Sequence, residues 1–571
     1  MKLKATFIYA FGIFSANLLS GQISPKIKLI GGARSIIQNQ DISVFDSVPD
    51  NKTAKAKAGG YSLIDLGFNI MPNKNTEILG MIRIKNQYGG FYGGGVTFDV
   101  RQMWVKGVLA DVLRYQLGDI NLKQTPFTFY NHNEDNLVFQ NPINQIQQDI
   151  VNYESFYKSN TWRQQGLSLD FGLNFAKHIE EINFNGYLTR LNMTNFGDVP
   201  ERLFGGGTFD LIANKKLSAQ YNLSSVFDVT GTSLDSNSYR NIVNTFGLKY
   251  VHNLKNMDLT FKIETGSSHS YFTRDTLSPD LNDYFLNPTI QFDIPKSNLS
   301  LTVAYLNVGP DFRSPGAQSK RVDYQSSLSQ FGLYKNEQID RPIHLVDVFS
   351  DDRIYKTSIN TKLMAYHPLI NNVLPYGLAT FNRNGVYGIL NWKNKGKNIN
   401  VNWIHYMLSE IRGQGTKSLK KFTMSQLQLG LDVNKLIKTN NKIKLSTSIV
   451  YQQTNRTSDI DFEKVDLNSI QIASGLEWEI LPNFDLMLGY TLLQGNGNDQ
   501  ISVRNNYSQV VDFQDYTSNE SQTIIAGGLK YNFSNKTYLG LMYQQYDYKN
   551  ENYKFNNYQM NQFSIIYNLL F

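Results

Sequence analysis

The chain ends on the sequence Phe563-Ser-Ile-Ile-Tyr-Asn-Leu-Leu-Phe571. Because side chains alternate between two faces along a β-strand, this segment has one apolar face that ends on an aromatic ring. That face comprises Phe563, Ile565, Tyr567, Leu569 and Phe571. Ser564 and Asn568 lie on the other face, where Ile566 and Leu570 weaken the contrast. Such a strand must bury its last ring, and for a secreted protein of a two-membrane cell the simplest surrounding is lipid.

The tail resembles the C-terminal signal of Gram-negative outer-membrane β-barrels, which is an aromatic-terminated final strand read by the barrel assembly machinery. The resemblance implies a location in the cell outer membrane. It also implies two partners, the outer-membrane lipid and the assembly machinery during biogenesis. In addition, the absence of Cys, the abundance of Asn, Lys and Tyr, and the predicted mature start at Gln22 resemble outer-membrane proteins of Bacteroidota.

The N-terminus has the pattern of a secretory signal peptide. Lys2 and Lys4 precede a mostly apolar run, Ala5–Leu19, and the small residues Ser20 and Gly21 follow it. The run is too short to span a bilayer comfortably, so we predict cleavage before Gln22 rather than a membrane anchor. The predicted domains are a signal peptide over 1–21 and a transmembrane β-barrel over 22–571. With no Cys in the chain, a lipoprotein anchor, disulfides and thiolate metal sites are excluded.

Composition favours a barrel over a helical membrane protein. The chain has 34 Tyr and 35 Phe, yet its mean hydropathy is −0.35 and no internal apolar run has the length of a membrane helix. A barrel alternates lipid-facing apolar with lumen-facing polar residues, and so reaches a hydrophilic average. The net charge of +7 becomes +5 without the two signal lysines, which is too small to indicate nucleic acid as a partner.

One module recurs through the mature chain: a strand of about 10–13 residues, a tight polar turn, a second strand and a longer polar loop. The clearest strand alternates Leu167, Leu169, Phe171, Leu173 and Phe175 with polar residues and Gly172. Similar alternation covers 426–433 and 524–533. We therefore predict an all-β fold, a single large transmembrane antiparallel β-barrel with short periplasmic turns and long extracellular loops. Closure removes the exposed edges of so large a sheet.

Turns and loops set the predicted strand count. Tight turns are expected near Pro72–Asn75, Lys177–His178, Asn214–Lys216, Asn253–Asn256, Pro295–Asn298, Asn394–Lys397, Lys438–Asn441, Pro482–Asn483 and Ser534–Lys536. Long segments are expected near 38–59, 120–160, 190–205, 228–239, 266–286, 308–323, 409–420, 455–467, 495–520 and 549–555. With the last strand ending at the periplasm, the count is about 24. Because 324–393 is ambiguous, the range is 22 to 26.

Charged side chains on the polar faces of strands are the candidate lumen-lining residues. They are Arg83, Lys85, Asp99, Arg101, Arg114, Lys249, Lys262, Glu264, Glu477 and Glu479. One interpretation is a wide aqueous lumen whose charged wall tunes solute passage. The other, favoured for any single residue, is that these charges pair across strands and only hydrate or fill the interior. Glu477 and Glu479 lie with Asp485 near one tight turn, where they could form an acidic periplasmic mouth.

Two loops are candidates for a role beyond connection. The segment Asn121–Asn160 is long enough to fold into the lumen and is rich in amides, although an ordinary surface loop explains it equally well. The segment Val308–Ala317 is bracketed by prolines and predicts a rigid external loop that binds a partner, folds over the pore or acts as a structural lid. The glycine-rich segment 89–95 lacks the features of a phosphate-binding loop and predicts a hairpin connection.

No catalytic constellation, metal site or cofactor motif is expected. The seven His residues are scattered, so we predict that the protein is not an enzyme. Strand patterning from about residue 26 leaves no room for the N-terminal plug of TonB-dependent transporters, or for the periplasmic repeats of assembly and secretion barrels. Two functions remain: a porin-like channel for hydrophilic solutes, and an accessory or structural barrel that docks to other outer-membrane proteins or lipoproteins in a secretion, gliding or assembly complex.

Overall fold

The computed structural model describes residues 26–44, 56–88, 95–133, 141–175, 179–234, 237–273, 280–326, 328–329, 338–339, 342–505, 509–554 and 557–571. The predicted signal peptide over 1–21, the turn at Lys177–His178 and most of the glycine-rich segment 89–95 lie outside these residues.

Strands dominate the described chain. They are β1 (Lys26–Val44), β2 (Ala56–Asn73), β3 (Thr76–Gln87), β4 (Val96–Leu109), β5 (Leu113–Leu122), β6 (Trp162–Asn174), β7 (Glu181–Asn192), β8 (Arg202–Asn214), β9 (Leu217–Asp228), β10 (Tyr239–Asn253), β11 (Asp258–Phe272), β12 (Leu281–Ile294), β13 (Leu299–Val308), β14 (Leu328–Ser329), β15 (Gln338–Ile339), β16 (Arg383–Lys393), β17 (Ile399–Ser409), β18 (Lys421–Asp432), β19 (Ile443–Arg456), β20 (Val465–Leu481), β21 (Phe484–Arg504), β22 (Val510–Ser534), β23 (Thr537–Asn550) and β24 (Tyr558–Leu570).

The strands form a closed antiparallel barrel. Each wall strand pairs with its neighbours in chain order, and β1 pairs with both β2 and β24, which closes the sheet. The described residues contribute 22 strands to this sheet, while β14 and β15 form a separate hairpin. The central prediction of about 24 strands was therefore too high, although 22 lies within the predicted range.

The miscount comes from the long connection between β13 and β16. Residues 309–382 contribute no wall strand among the described residues, and many of their side chains are buried, including Phe312, Ala317 and Leu369. The prediction of an external loop at Val308–Ala317 was wrong, because this segment packs inside the barrel. Part of the loop predicted over 495–520 was wrong as well, since β21 and β22 remain paired from Phe484 to Arg504.

The alternation predicted for the strands is present in the wall. On β22, Ile525 and Tyr531 are exposed on the outer face, whereas Ile524 and Ala526 are buried on the inner face. On the terminal segment, Phe563, Tyr567 and Phe571 are exposed and Ser564, Ile566 and Asn568 are buried. The backbone of Phe571 exchanges two hydrogen bonds of 3.0 Å with Gly31 on the first strand. The tail thus supplies the seam that closes the barrel.

Two connections fold into the barrel and carry most of the helices. We call residues 123–161, between β5 and β6, the first interior segment, and residues 309–382 the second interior segment. The helices are α1 (Pro142–Glu154), α2 (Pro315–Gln318), α3 (Leu345–Ser350), α4 (Pro368–Asn371) and α5 (Val433–Ile437), with 3₁₀ turns at Pro295–Ser297, Asp352–Ile354, Gly377–Ala379 and Asp461–Glu463. Among the described helices, none is long and apolar enough to cross a membrane.

Local sequence explains why α1 begins where it does. Asn141 is its N-cap, and the Asn141 side chain accepts a 3.0 Å hydrogen bond from the backbone N–H of Ile143. Pro142 occupies the first helical position, where no backbone donor is needed. Ile143, Ile146 and Val151 are buried and join an apolar cluster shared with the second interior segment and the inner wall of β19–β24.

Candidate functional site

The C-terminal end of α1 is held by an arginine cluster on the inner wall. We define this cluster as Arg34 on β1, Arg83 on β3 and Arg101 on β4, all of which are buried. Its acidic partners are Asp65 on the intervening strand β2 and Glu154 at the last position of α1. Adjacent wall strands therefore bring together charges that are far apart in the sequence.

The ion pairs of the cluster bind the helix to the wall. Arg83 donates two hydrogen bonds of 2.7 Å to the two carboxylate oxygens of Asp65, which lies opposite it in the β2–β3 register. Glu154 accepts a 2.9 Å hydrogen bond from Arg34 and a second one from Arg83. The Glu154 side chain is only 5% exposed, so water screens these pairs little.

Tyr153 adds a second set of contacts to the cluster. Its hydroxyl donates to Asp65, and its ring lies 3.9 Å from the guanidinium carbon of Arg101. Arg101 also donates a 2.6 Å hydrogen bond to the Tyr153 carbonyl oxygen. That carbonyl also accepts a 3.4 Å hydrogen bond from the backbone N–H of Phe156, and it lies at the negative end of the helix dipole. Burial raises the pKa of Tyr153, which keeps its hydroxyl a neutral donor.

Beside the apolar contacts of Ile143, Ile146 and Val151, α1 also rests on amide and hydroxyl groups of the wall. Asn144 donates a 3.0 Å hydrogen bond to the Thr491 hydroxyl, and Gln147 donates to Gln544 at 3.3 Å. Gln544 in turn donates to Gln562 at 2.6 Å. Because these wall groups can hydrogen-bond equally well to water, the surface under the helix suits both a docked and a hydrated state.

The two interior segments are also bound to each other. Arg321 of the second segment donates a 2.7 Å hydrogen bond to Asn152 on α1 and lies 3.8 Å above the Tyr157 ring. Tyr130 of the first segment donates a 3.0 Å hydrogen bond from its backbone N–H to the carbonyl oxygen of Gly316. Displacement of α1 therefore requires breaking contacts with the second segment as well as with the wall.

Three cavities lie at one end of the barrel. The first wall strand begins and the last wall strand ends there, and we call it the turn end. The first cavity, about 710 Å³, is lined by the turn 73–76 and by Arg114. The second, about 670 Å³, is lined by α1 and by the connection after β16. The third, about 520 Å³, is lined by the turn 214–217. Side chains from neighbouring strands give each cavity a charged wall.

The predicted lumen-lining residues divide into three groups. Arg83 and Arg101 are brought together in the arginine cluster, but α1 covers them. Others line the cavities: Arg114 the first, Glu477 the second, and Lys249, Lys262 and Glu264 the third. The rest lie elsewhere: Lys85 lies 4.3 Å above the Tyr61 ring, Asp99 is exposed, and Glu479 accepts backbone hydrogen bonds from Asn483 and Lys442.

The acidic group near the turn at Pro482–Asn483 is engaged in structural contacts. Glu477 pairs with Lys442 at 2.7 Å, and Asp485 is buried and accepts a 2.6 Å hydrogen bond from Asn532. Since Glu479 also caps the backbone of this turn, the three carboxylates hold neighbouring turns together. The hypothesis of an acidic mouth gains no support from this arrangement.

Several site residues were missed from sequence although a signal was present. Arg34 lies on the face opposite the exposed Leu29 and Ile37, and Lys444 lies between the outward-facing Ile443 and Leu445. The alternation that identified Arg83 applies to both. Glu154 had no such signal, because it lies in a helix of an interior segment and its partners come from distant strands.

The described residues hold no group of three or more His, Asp or Glu side chains arranged to bind a metal ion. No known family profile matches the sequence, and no curated protein matches it significantly.

Similar folds occur among solved structures at low identity. OccK5 (OpdH) of Pseudomonas aeruginosa has a TM-score of 0.36 and 10% identity, with 96% of this chain and 98% of that chain covered. OpdL of the same organism has a TM-score of 0.36 and 9% identity, with 95% and 99% covered. The outer membrane channel DcaP of Acinetobacter baumannii has a TM-score of 0.28 and 8% identity, with 96% and 99% covered. These similarities are too low to transfer a function to this chain.

Proposed function

We propose that this chain is a porin-like channel of the cell outer membrane whose pathway for hydrophilic solutes is closed by the two interior segments and opened by their displacement. The observation that carries the proposal is the set of charged cavities of about 520 to 710 Å³ at the turn end. Cavities with charged walls are hydrated, and a hydrophilic solute that reaches them meets charged and polar side chains in each lining.

The contacts of α1 fit a segment that moves. Its hydrogen-bond partners on the wall include Thr491, Gln544 and Arg101, whose polar groups water can satisfy after the helix leaves. These polar contacts lower the free-energy difference between the docked and displaced states, whereas the apolar cluster of Ile143, Ile146 and Val151 favours the docked state.

Placement in the membrane is part of the same proposal. The outward-facing apolar side chains contact lipid, the turn end faces the periplasm, and residues 1–21 are removed as a signal peptide. The terminal strand, with Phe563, Ile565, Tyr567, Leu569 and Phe571 outward, serves as the signal for the barrel assembly machinery.

Planar-bilayer recording on the purified full-length mature chain tests the channel. We expect discrete current steps, because each channel opens separately when its own interior segments are displaced. A folded protein that inserts into the bilayer and passes no current at any applied voltage would refute the proposal.

A second function, an accessory barrel subunit, is favoured by one observation. Three apolar clusters of buried residues connect the interior segments to the wall, so the interior is extensively packed. A barrel that acts through its outer wall and loops needs no pathway. Purification of the tagged chain in mild detergent separates the two functions: a stoichiometric outer-membrane protein or lipoprotein partner supports the second, and the isolated chain supports the first.

A further inference from the structure

The three turn-end cavities have an excess of positive charge. Their lining includes twelve basic residues: Lys26, Lys74, Lys106 and Arg114 in the first, Lys393, Lys397, Lys444 and Lys530 in the second, and Lys215, Lys216, Lys249 and Lys262 in the third. The seven acidic residues of the lining are Glu77, Asp170, Asp149, Asp432, Glu477, Asp210 and Glu264. Each cavity by itself contains more basic than acidic side chains.

Ion pairing increases this excess. In the first cavity, Glu77 pairs with Lys106 at 2.8 Å and Asp170 pairs with Arg114, which removes two charges of each sign.

In the second cavity, Asp432 pairs with Lys435 and Glu477 pairs with Lys442, and neither of these lysines lines the cavity. When the paired charges are set aside, ten of the twelve basic side chains and three of the seven carboxylates remain. Within the described residues, none of those three carboxylates forms an ion pair.

The three remaining carboxylates compensate the cations poorly. Asp149 lies on α1, where burial raises its pKa and so disfavours its charged form. Asp210 and Glu264 share the third cavity with four lysines. Moreover, Lys249 and Lys262 lie directly opposite each other across the β10–β11 pair, an arrangement of like charges that destabilises a sheet. The cavity linings thus keep an excess of basic side chains after ion pairing.

The geometry points to a ligand class. We propose that the turn-end cavities select small organic anions, bearing carboxylate or phosphate groups, over cations; this inference rests on the proposed channel function. Charge of one sign on the walls of a low-dielectric cleft focuses the field and raises the local concentration of the opposite ion. Cavities of about 520 to 710 Å³ lie within the volume range of small-molecule sites.

The first test is ion selectivity in a planar bilayer under a tenfold KCl gradient. We expect the reversal potential of the full-length mature protein to correspond to an anion permeability several times the cation permeability. Substitution of the second cavity's lysines, as K393Q/K397Q/K444Q/K530Q, should lower this ratio at least twofold. The matched control is K464Q/K554Q, in which two exposed lysines in surface ion pairs are changed and the ratio should not move. A cation-selective or unselective wild-type channel would overturn the inference.

The dependence of the ion selectivity on salt concentration provides a further check, because salt screens the lysine charges. The distance over which charges act falls from about 10 Å at 0.1 M salt to about 3 Å at 1 M. Selectivity that arises from the lysine field should therefore weaken as KCl rises over this range. A ratio independent of salt concentration would contradict the lysine field as its source.

Binding measurements distinguish failure of the inference from failure of the channel proposal. Isothermal titration of inorganic pyrophosphate into the detergent-solubilised barrel should show binding at low ionic strength that the four-lysine variant weakens about tenfold or more. If the bilayer is silent but pyrophosphate binds in this lysine-dependent way, the channel proposal fails and the anion site stands. Absence of pyrophosphate binding to a barrel whose fold is verified by its heat-dependent gel mobility would overturn the anion site itself.

Discussion

Replacement of Glu154 by Gln should release α1 from the wall. Glu154 accepts hydrogen bonds from Arg34 and Arg83 while being 5% exposed, so E154Q removes a buried charge that faces two guanidinium groups. Hydrogen bonds to charged groups contribute about 1.5–3 kcal/mol each, and the amide keeps one acceptor oxygen. We therefore expect the docked state to lose about 2–4 kcal/mol, which changes the ratio of docked to released helix about 30- to 800-fold.

The chain contains no Cys, which permits a direct assay of this release. Val151 on α1 is 1% exposed, and V151C introduces a thiol of similar size that reacts only when the helix leaves the wall. When closing is faster than labelling, the labelling rate follows the population of the open state. We expect V151C/E154Q to react at least tenfold faster than V151C with a water-soluble thiol reagent, and the E154Q channel to open more often in bilayers.

The matched control is E551Q, which changes an exposed carboxylate in a surface pair with Lys554. Such pairs contribute about 0–1 kcal/mol, so neither labelling nor opening frequency should change. Equal labelling rates for V151C and V151C/E154Q, in barrels that both show heat-dependent gel mobility, would refute the role of the arginine cluster as the attachment point of the helix.

Two further predictions concern the helix seat and the terminal strand. A Cβ atom at Gly475 would lie 2.2 Å from Cδ of Pro142, so G475A should push α1 away from the wall and weaken its docking by about 1–3 kcal/mol. The thiol of V151C should then react faster in the G475A background. In the control G80A the added Cβ has open space, and the labelling rate should not change. F571A keeps the backbone pairing at the seam but removes the exposed terminal ring, so the amount of folded barrel in the outer-membrane fraction should fall several-fold. The control Y553A, which removes an exposed loop ring, should leave that amount unchanged. Equal amounts of the F571A and wild-type barrels would contradict the assembly-signal interpretation.

The wall of this barrel could be predicted well from sequence because its signal is local. Alternation with a period of two needs only neighbouring residues, and it assigned the inner and outer faces of β22 and of the terminal strand. The same alternation put Arg83 and Arg101 on the inner face. The prediction was less successful at 309–382, where buried segments without a regular period resemble loops in sequence.

The sequence by itself determined an antiparallel barrel and the faces of its strands, since alternation follows from the chemistry of adjacent positions. The seam between the last strand and the first was found only in the structure. Only the tertiary structure decided which inward charges are covered and which line cavities. Arg34 and Glu154 are 120 positions apart, and they meet because barrel closure brings β1 beside β2 and β24 while α1 folds inward from a different connection. Such contacts depend on the path of the whole chain, and no local pattern encodes them.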